Sequence, residues 1–177
     1  RPPRSTLFPY TTLFRSFWSE ERESNLLDGA AHFYDTYECA DQKFLAVGSI
    51  EPQFYSVLLE KLEISDLKFQ DQHNKELWPE LKTIMKEKIK EKTRDEWADI
   101  FDGTDACVAP VLNLSEAPAH HHMKARNSFV EVDGVIQPAP APRFSDTTTT
   151  IKHSSVKAGE NNDEICAKYN LDRSCFN

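Results

Sequence analysis

Glu51 is the side chain in this sequence best placed for chemistry, because it stands where one residue pattern gives way to another. Residues 44–50 (FLAVGSI) are apolar and β-branched, the composition of a buried strand. Pro52 suits the first position of a helix, where its missing N–H and fixed φ cost nothing. Glu51 is thereby predicted to be the N-cap. Asp, Asn, Ser or Thr would reach the first-turn amides better, so local stability does not account for a Glu here. What it leaves is a charged acceptor at a fixed place beside the positive end of a helix, able to take a hydrogen bond from a neighbouring donor. The same spacing also describes a carboxylate that merely lies exposed near the dipole, and on the residues alone both readings stand.

Other candidates carry less. His120, His121 and His122, with Asp105 or Glu116, invite a metal site, but three adjacent His cannot all face one ion on regular structure and no ligand pair has zinc spacing; no metal is predicted. Cys107, in the run DACV, reads as a small hydrophobe in a strand rather than a nucleophile. Five glycines with no GxGxxG or GxxxxGK offer no nucleotide cradle. Cys39, Cys107, Cys166 and Cys175 form no CxxC pair, which favours reduced thiols in an intracellular compartment, although four cysteines leave three pairings open by count.

The totals bound the class. With 29 acidic against 21 basic residues the net charge is -8, which argues against a nucleic-acid surface. The basic residues of 82–94 alternate with acids, as on a solvated helix face. There is no apolar run of the ~18 residues a membrane-spanning helix needs, so no membrane partner is predicted. A hydrophobic fraction of 39% with 11% aromatic residues is that of a folded chain.

The elements that must position Glu51 follow from periodicity. Residues 33–38 alternate and are rich in aromatics, a strand that turns through Ala40, Asp41 and Gln42 into the strand ending at Glu51. The helix from Pro52 to about Leu62 sets Phe54, Leu58 and Leu62 on one face, with Tyr55 and Leu59 beside them. Residues 64–74 read as a polar link. A second helix starts at Trp78, with Leu81, Ile84, Met85 and Ile89 at helical spacing; TRDE opens a third, ending at Gly103, with Trp97, Ile100 and Phe101 inward. Residues 107–112 form a short strand that Pro110 confines to an edge, and Asp133-Gly134 closes a hairpin between 129–132 and 135–137. A proline-extended stretch and a polar loop lead to a final helix near 163–169. Hairpins and segregated helices, rather than a βαβ array, predict an α+β class.

Residues 1–16 differ from the rest: three Arg, no acid, no periodicity, and a stretch from Thr6 to Ser16 that back-translates to a common short-read sequencing adapter. They are expected to be an artefact of assembly, outside the fold. The expected organisation is that segment, a small α+β domain over 17–137, and an extended linker with a C-terminal helix over 138–177.

The run YDTYECADQKFLAVGSIEPQFY, with WPELK, KTRDEWADIFDGTDACVAPVL and QPAPAPRFSDT downstream, resembles the α-methylacyl-CoA racemase branch of the family III CoA-transferase superfamily, from about Phe17 to the C-terminus. IEPQFY and FDGTDACV are the blocks specific to that branch. The resemblance implies the small domain of the family III CoA-transferase fold, with the large Rossmann-like domain absent. It implies an isomerase fragment, acting in bile-acid and branched-chain fatty acid metabolism, whose full enzyme moves a proton at the α-carbon of 2-methylacyl-CoA thioesters without a cofactor, as an interlocked homodimer. The two bases of that reaction, a His and an Asp, belong to the absent domain, so this chain alone is expected to be inactive. Glu51 matches the Glu that holds the catalytic His in orientation. Tyr34 and Ile50 match positions lining the acyl and thioester pocket, although each reads equally as packing. Ala30, Ala31 and His32 replace a Gly-Ala-Pro type run, setting His32 beside the pocket strand, where it is expected to alter substrate fit. The family implies a mitochondrial or peroxisomal setting, but Ser174–Cys175–Phe176–Asn177 is no SKL-type address. The alternatives are a CoA-transferase of the same superfamily working through an aspartyl nucleophile, and a truncated binding or dimerisation module.

Overall fold

The computed structural model describes residues 18–176; the adapter-like segment 1–16 lies outside the described residues. The chain divides between Val111 and Leu112 into two compact units. The hairpin at Asp133-Gly134 therefore groups with the C-terminal residues, where the sequence boundary at 137 sets it with the first domain.

The first unit is built on a three-stranded antiparallel sheet of order β1-β2-β3. Strand β1 (Tyr34–Glu38) pairs with β2 (Phe44–Gly48) in a register running from Tyr34↔Gly48 to Glu38↔Phe44. The turn closes with the Cys39 N–H donating to Lys43 O at 2.8 Å, and Gln42 takes a φ of 63°. On the other side of β2, the edge strand β3 (Val108–Pro110) pairs Leu45 with Pro110 and Val47 with Val108. Alternation along the strands sends Tyr37, Leu45 and Val47 into the core.

Three helices supply much of the rest of that core. Helix α1 (Pro52–Lys61) follows Glu51, whose backbone is extended at φ -74°, ψ 141°, so the predicted N-cap is the observed one. Its buried stripe is Tyr55, Leu58 and Leu62, with Phe54 only half-buried. Leu58 and Leu62 are buried as expected; only the first position differs, where Tyr55 replaces Phe54 with its hydroxyl bonded to His32 Nε2, 2.7 Å away. Helix α2 (Trp78–Ile89) buries Trp78, Leu81, Met85 and Ile89 and packs on β1. Helix α3 (Arg94–Phe101) opens with the capping box of Thr93 and Glu96, buries Trp97 and Phe101, and packs on β2 and β3. The indole N–H of Trp97 donates to Ile89 O at 2.7 Å, tying α3 to the end of α2.

The stretch 64–74, expected as a polar link, is structured. Leu67–Gln70 forms a 3₁₀ turn capped by Asp66, whose side chain accepts from Lys68 N at 2.9 Å, and it inserts Phe69 fully into the core. One aromatic in a polar run leaves no periodic trace, which is why composition alone misses it.

The second unit contains α4 (His121–Ala125), the hairpin β4 (Phe129–Val132) with β5 (Val135–Pro138), and α5 (Asn162–Tyr169). Positive φ at Asp133 (50°) and Gly134 (78°) is the backbone that a two-residue hairpin turn requires. Among the described residues of this unit none is buried.

Candidate functional site

The face of the sheet at Tyr34 and Gly48 carries an open concavity of about 450 Å³. Its floor is sheet: Tyr34, Thr36, Ala46 and Gly48, with Cys107 and Ala109 on the β3 side and Leu27–Gly29 as a rim. Gly48 leaves the floor bare at this point; a Cβ there would stand in ordinary van der Waals contact, 3.7 Å from the Tyr34 ring and 3.7 Å from Cys107 O. The Gly48 N–H donates to that same carbonyl at 2.9 Å.

The rim is fixed by polar contacts. The Asp28 carboxylate accepts from Asn25 N at 2.8 Å, Asn25 Nδ2 at 2.7 Å and Ser24 N at 3.3 Å. Burial by itself would raise the Asp28 carboxyl; the bonds from Asn25, Ser24 and Ala30 outweigh it and hold the group below its ordinary value. From α2, Lys82 reaches over the rim, donating to Gly29 O and pairing with Asp35 at 2.5 Å. Both partners of this pair are about four-fifths buried, so it fixes the rim to the strand more firmly than a surface pair would.

Beyond Gly48 the chain turns from strand to helix, and this junction is pinned residue by residue. Ser49, fully buried, donates its N–H to Phe33 O at 3.0 Å and its hydroxyl to Ala106 O. Gln72 Nε2 donates to Ser49 O at 3.1 Å and Ile50 O at 3.0 Å. Glu51 follows, its carbonyl accepting from Tyr55 N at 3.0 Å. Its side chain is exposed and makes no capping bond to the helix, which leaves the carboxylate unspent.

The structure brings some of the sequence candidates together and separates others. Tyr34 lines the concavity. Ile50 is not among its lining residues; it is half-buried and packs against the core. Glu51 lies close enough to Cys107 that its charge, after desolvation and ahead of Asp105, raises that thiol. Cys107 itself departs from expectation. It precedes β3 with φ 54° and is exposed, because the left-handed backbone turns its thiol away from the interior. A buried small hydrophobe it is not.

His32 is also misplaced by the sequence reading. It does not border the concavity but is fully buried under α1, meeting Phe33, Tyr55 and Phe69 edge-on at centroid distances of 5.1, 5.6 and 5.5 Å. Burial, and then the charge of His73, lowers its pKa to about 4, so the ring is neutral and cannot serve as a solvent-facing base. His120 and His121 stack at 4.4 Å on the second unit, and among the described residues no group of three His, Cys, Asp or Glu side chains gathers to hold a metal ion. Sequence reasoning missed Gln72 and the Lys82–Asp35 pair, whose only signal is polarity, indistinguishable from a solvated surface.

The profile of CoA-transferase family III matches residues 8–162, beginning within the segment read as adapter-derived. The chain belongs to CoA-transferase family III. It is 40% identical over 169 residues to the human protein named α-methylacyl-CoA racemase, covering 94% of this chain and 44% of that protein, and 41% identical to the mouse protein of the same name over 92% and 43%. The chain thus spans less than half the length of the curated relatives it matches. A crystal structure of a CaiB/BaiF family protein from Brucella suis shares the fold at a TM-score of 0.61 with 21% identity, over 89% of this chain and 43% of that one. The antiparallel hairpins and segregated helices of CoA-transferase family III are therefore those of its smaller, α+β part, as expected.

Proposed function

We propose that this chain is the small-domain part of an isomerase that inverts the α-carbon of 2-methylacyl-CoA thioesters. What carries the reading is the identity of 40% with a protein named for that activity, together with a fold that presents Tyr34 in a concavity and an unspent carboxylate, Glu51, at the adjacent strand-to-helix junction. The thioester acidifies its α-hydrogen; one base removes it to give an enolate, and a second, on the opposite face, returns a proton. Atoms and electrons balance without a redox carrier, so no cofactor is required. Both bases are assigned to the part of the enzyme outside this chain, a His and an Asp. Glu51 is assigned to accept the imidazole N–H of that His, fixing its tautomer and direction. Tyr34 is assigned to the substrate face, and Ile50 to the wall behind it. An interlocked homodimer would carry Glu51 to a partner's His, and the setting would be mitochondrial or peroxisomal.

The test is to incubate the full-length enzyme with one epimer of a 2-methylacyl-CoA in deuterated water. Appearance of the opposite epimer with deuterium at the α-carbon supports the proposal. Movement of CoA to a labelled carboxylic acid without α-exchange assigns the protein to acyl-CoA transfer instead, and overturns it.

A further inference from the structure

We infer that Gln72 is a positioning residue for Glu51, an inference that rests on the function proposed above. Gln72 is buried, and its side-chain amide spans two consecutive backbone carbonyls, those of Ser49 at 3.1 Å and Ile50 at 3.0 Å. Two acceptors side by side can be satisfied at once only by a group with two hydrogens and no charge to desolvate, which an amide supplies. Glu has no hydrogen to give when ionised, and Lys or Arg would bring a charge into the core. Gln72 is itself held in place: its backbone carbonyl accepts the indole N–H of Trp78 at 2.9 Å, so the clamp is anchored in the first turn of α2.

The consequence is geometric. A peptide unit is planar, so fixing a carbonyl oxygen fixes the direction of the N–H and Cα on the far side of the bond. Pinning Ser49 O fixes the plane joining Ser49 to Ile50, and pinning Ile50 O fixes the plane that ends on the Glu51 nitrogen. From the helix side, the bond from Tyr55 N fixes Glu51 O. Glu51 is left with its side-chain torsions alone, although the side chain is exposed and bonds to nothing in its own helix. The amide that aims the carboxylate thus comes from a segment 21 residues away, tucked behind it.

A merely structural role would lower stability and leave the chemical step alone, so the test reads kcat and KM separately in the full-length enzyme. Gln72→Met keeps the length of the side chain and removes both donors. Its kcat should fall about 10-fold with KM unchanged within about twofold, since sub-ångström misplacement of a positioning group acts on the chemical step. In an enzyme already carrying Glu51→Gln, the same substitution should cost less than about twofold, because the group it aims is no longer the carboxylate. A Gln72→Met enzyme with wild-type kcat, or one whose full loss persists in the Glu51→Gln background, overturns the inference. Should Gln72→Met fail to accumulate folded, Gln72→Asn, which keeps the amide but draws it back by one methylene, takes its place in the same cycle with the same two outcomes. Wild-type rate in Glu51→Gln alone would remove the role of Glu51 and Gln72's with it, and is thereby distinguished from failure at Gln72 alone.

Discussion

A proton on His32 would place a charge among Phe33, Tyr55 and Phe69, with its Nδ1 unpartnered. The folded-state pKa of about 4 lies below the ordinary 6.5, so the unfolded chain takes up the proton first as pH falls. The stability held by neutral His32 is therefore complete above pH 6.5 and is lost as pH falls from there towards 4, by about 3 kcal/mol at 1.36 kcal/mol per unit. Urea midpoints measured between pH 7 and 4.5 should show this slope, and a His32→Gln variant, which keeps a polar partner for Tyr55 but does not titrate, should lose most of it. An unchanged slope in that variant would assign the pH dependence to other groups. At Glu51 the expected effect is on rate rather than stability. Glu51→Gln in the full-length enzyme should lower kcat by about 10²-fold while leaving KM and the melting temperature nearly unchanged, because an exposed, unbonded side chain contributes little to folding but much to the aim of the base it holds. A melting temperature that falls along with kcat would point to a structural role instead.

At the scale of elements, the 3₁₀ turn Leu67–Gln70 shows how far one residue can govern a segment. Phe69 is fully buried against the His32 ring, and Gln72, three residues on, clamps the junction before Glu51. Phe69→Ala should cost about 3–5 kcal/mol by chemical denaturation, the range for removing a core aromatic, whereas a solvated link would lose less than about 0.5 kcal/mol. The helices around it were open to sequence reading because their signals are local: a capping box at Thr93–Glu96, Pro52 beside Glu51, and apolar residues of α2 spaced by three and four. One position on the face of α1 was not, since the choice between Phe54 and Tyr55 was made by a buried histidine 23 residues earlier in the chain, while Leu58 and Leu62 are buried as their spacing predicts.

Over the whole molecule, burial is unequal. Every fully buried apolar side chain among the described residues lies between Ala31 and Ala106, in the first unit. The second unit leaves Leu114, Ile136 and Phe144 exposed. Backbone amides paired in β1 and β2 should consequently exchange with solvent at least ~100-fold more slowly than those paired in β4 and β5, because opening a hairpin that has no buried residues costs little more than its own hydrogen bonds. Hydrogen-exchange mass spectrometry resolves the two regions, and comparable protection in both would show that the second unit has a stabilising partner in solution.

Local pattern sufficed for the element types and for the place of the carboxylate: strand, proline and helix fix Glu51 at an N-cap through interactions spanning a few residues. Local patterning also set the α+β class, the edge strand at Pro110 and the hairpin at Asp133-Gly134. What surrounds them came from long-range packing. It sent His32 into the core and away from the concavity, turned Cys107 outward through a positive φ, and brought Gln72 to the carbonyls of Ser49 and Ile50. Each of these depends on contacts between residues far apart in the chain, and a polar side chain carries no mark in its own neighbourhood of whether water or a buried carbonyl will receive its hydrogens.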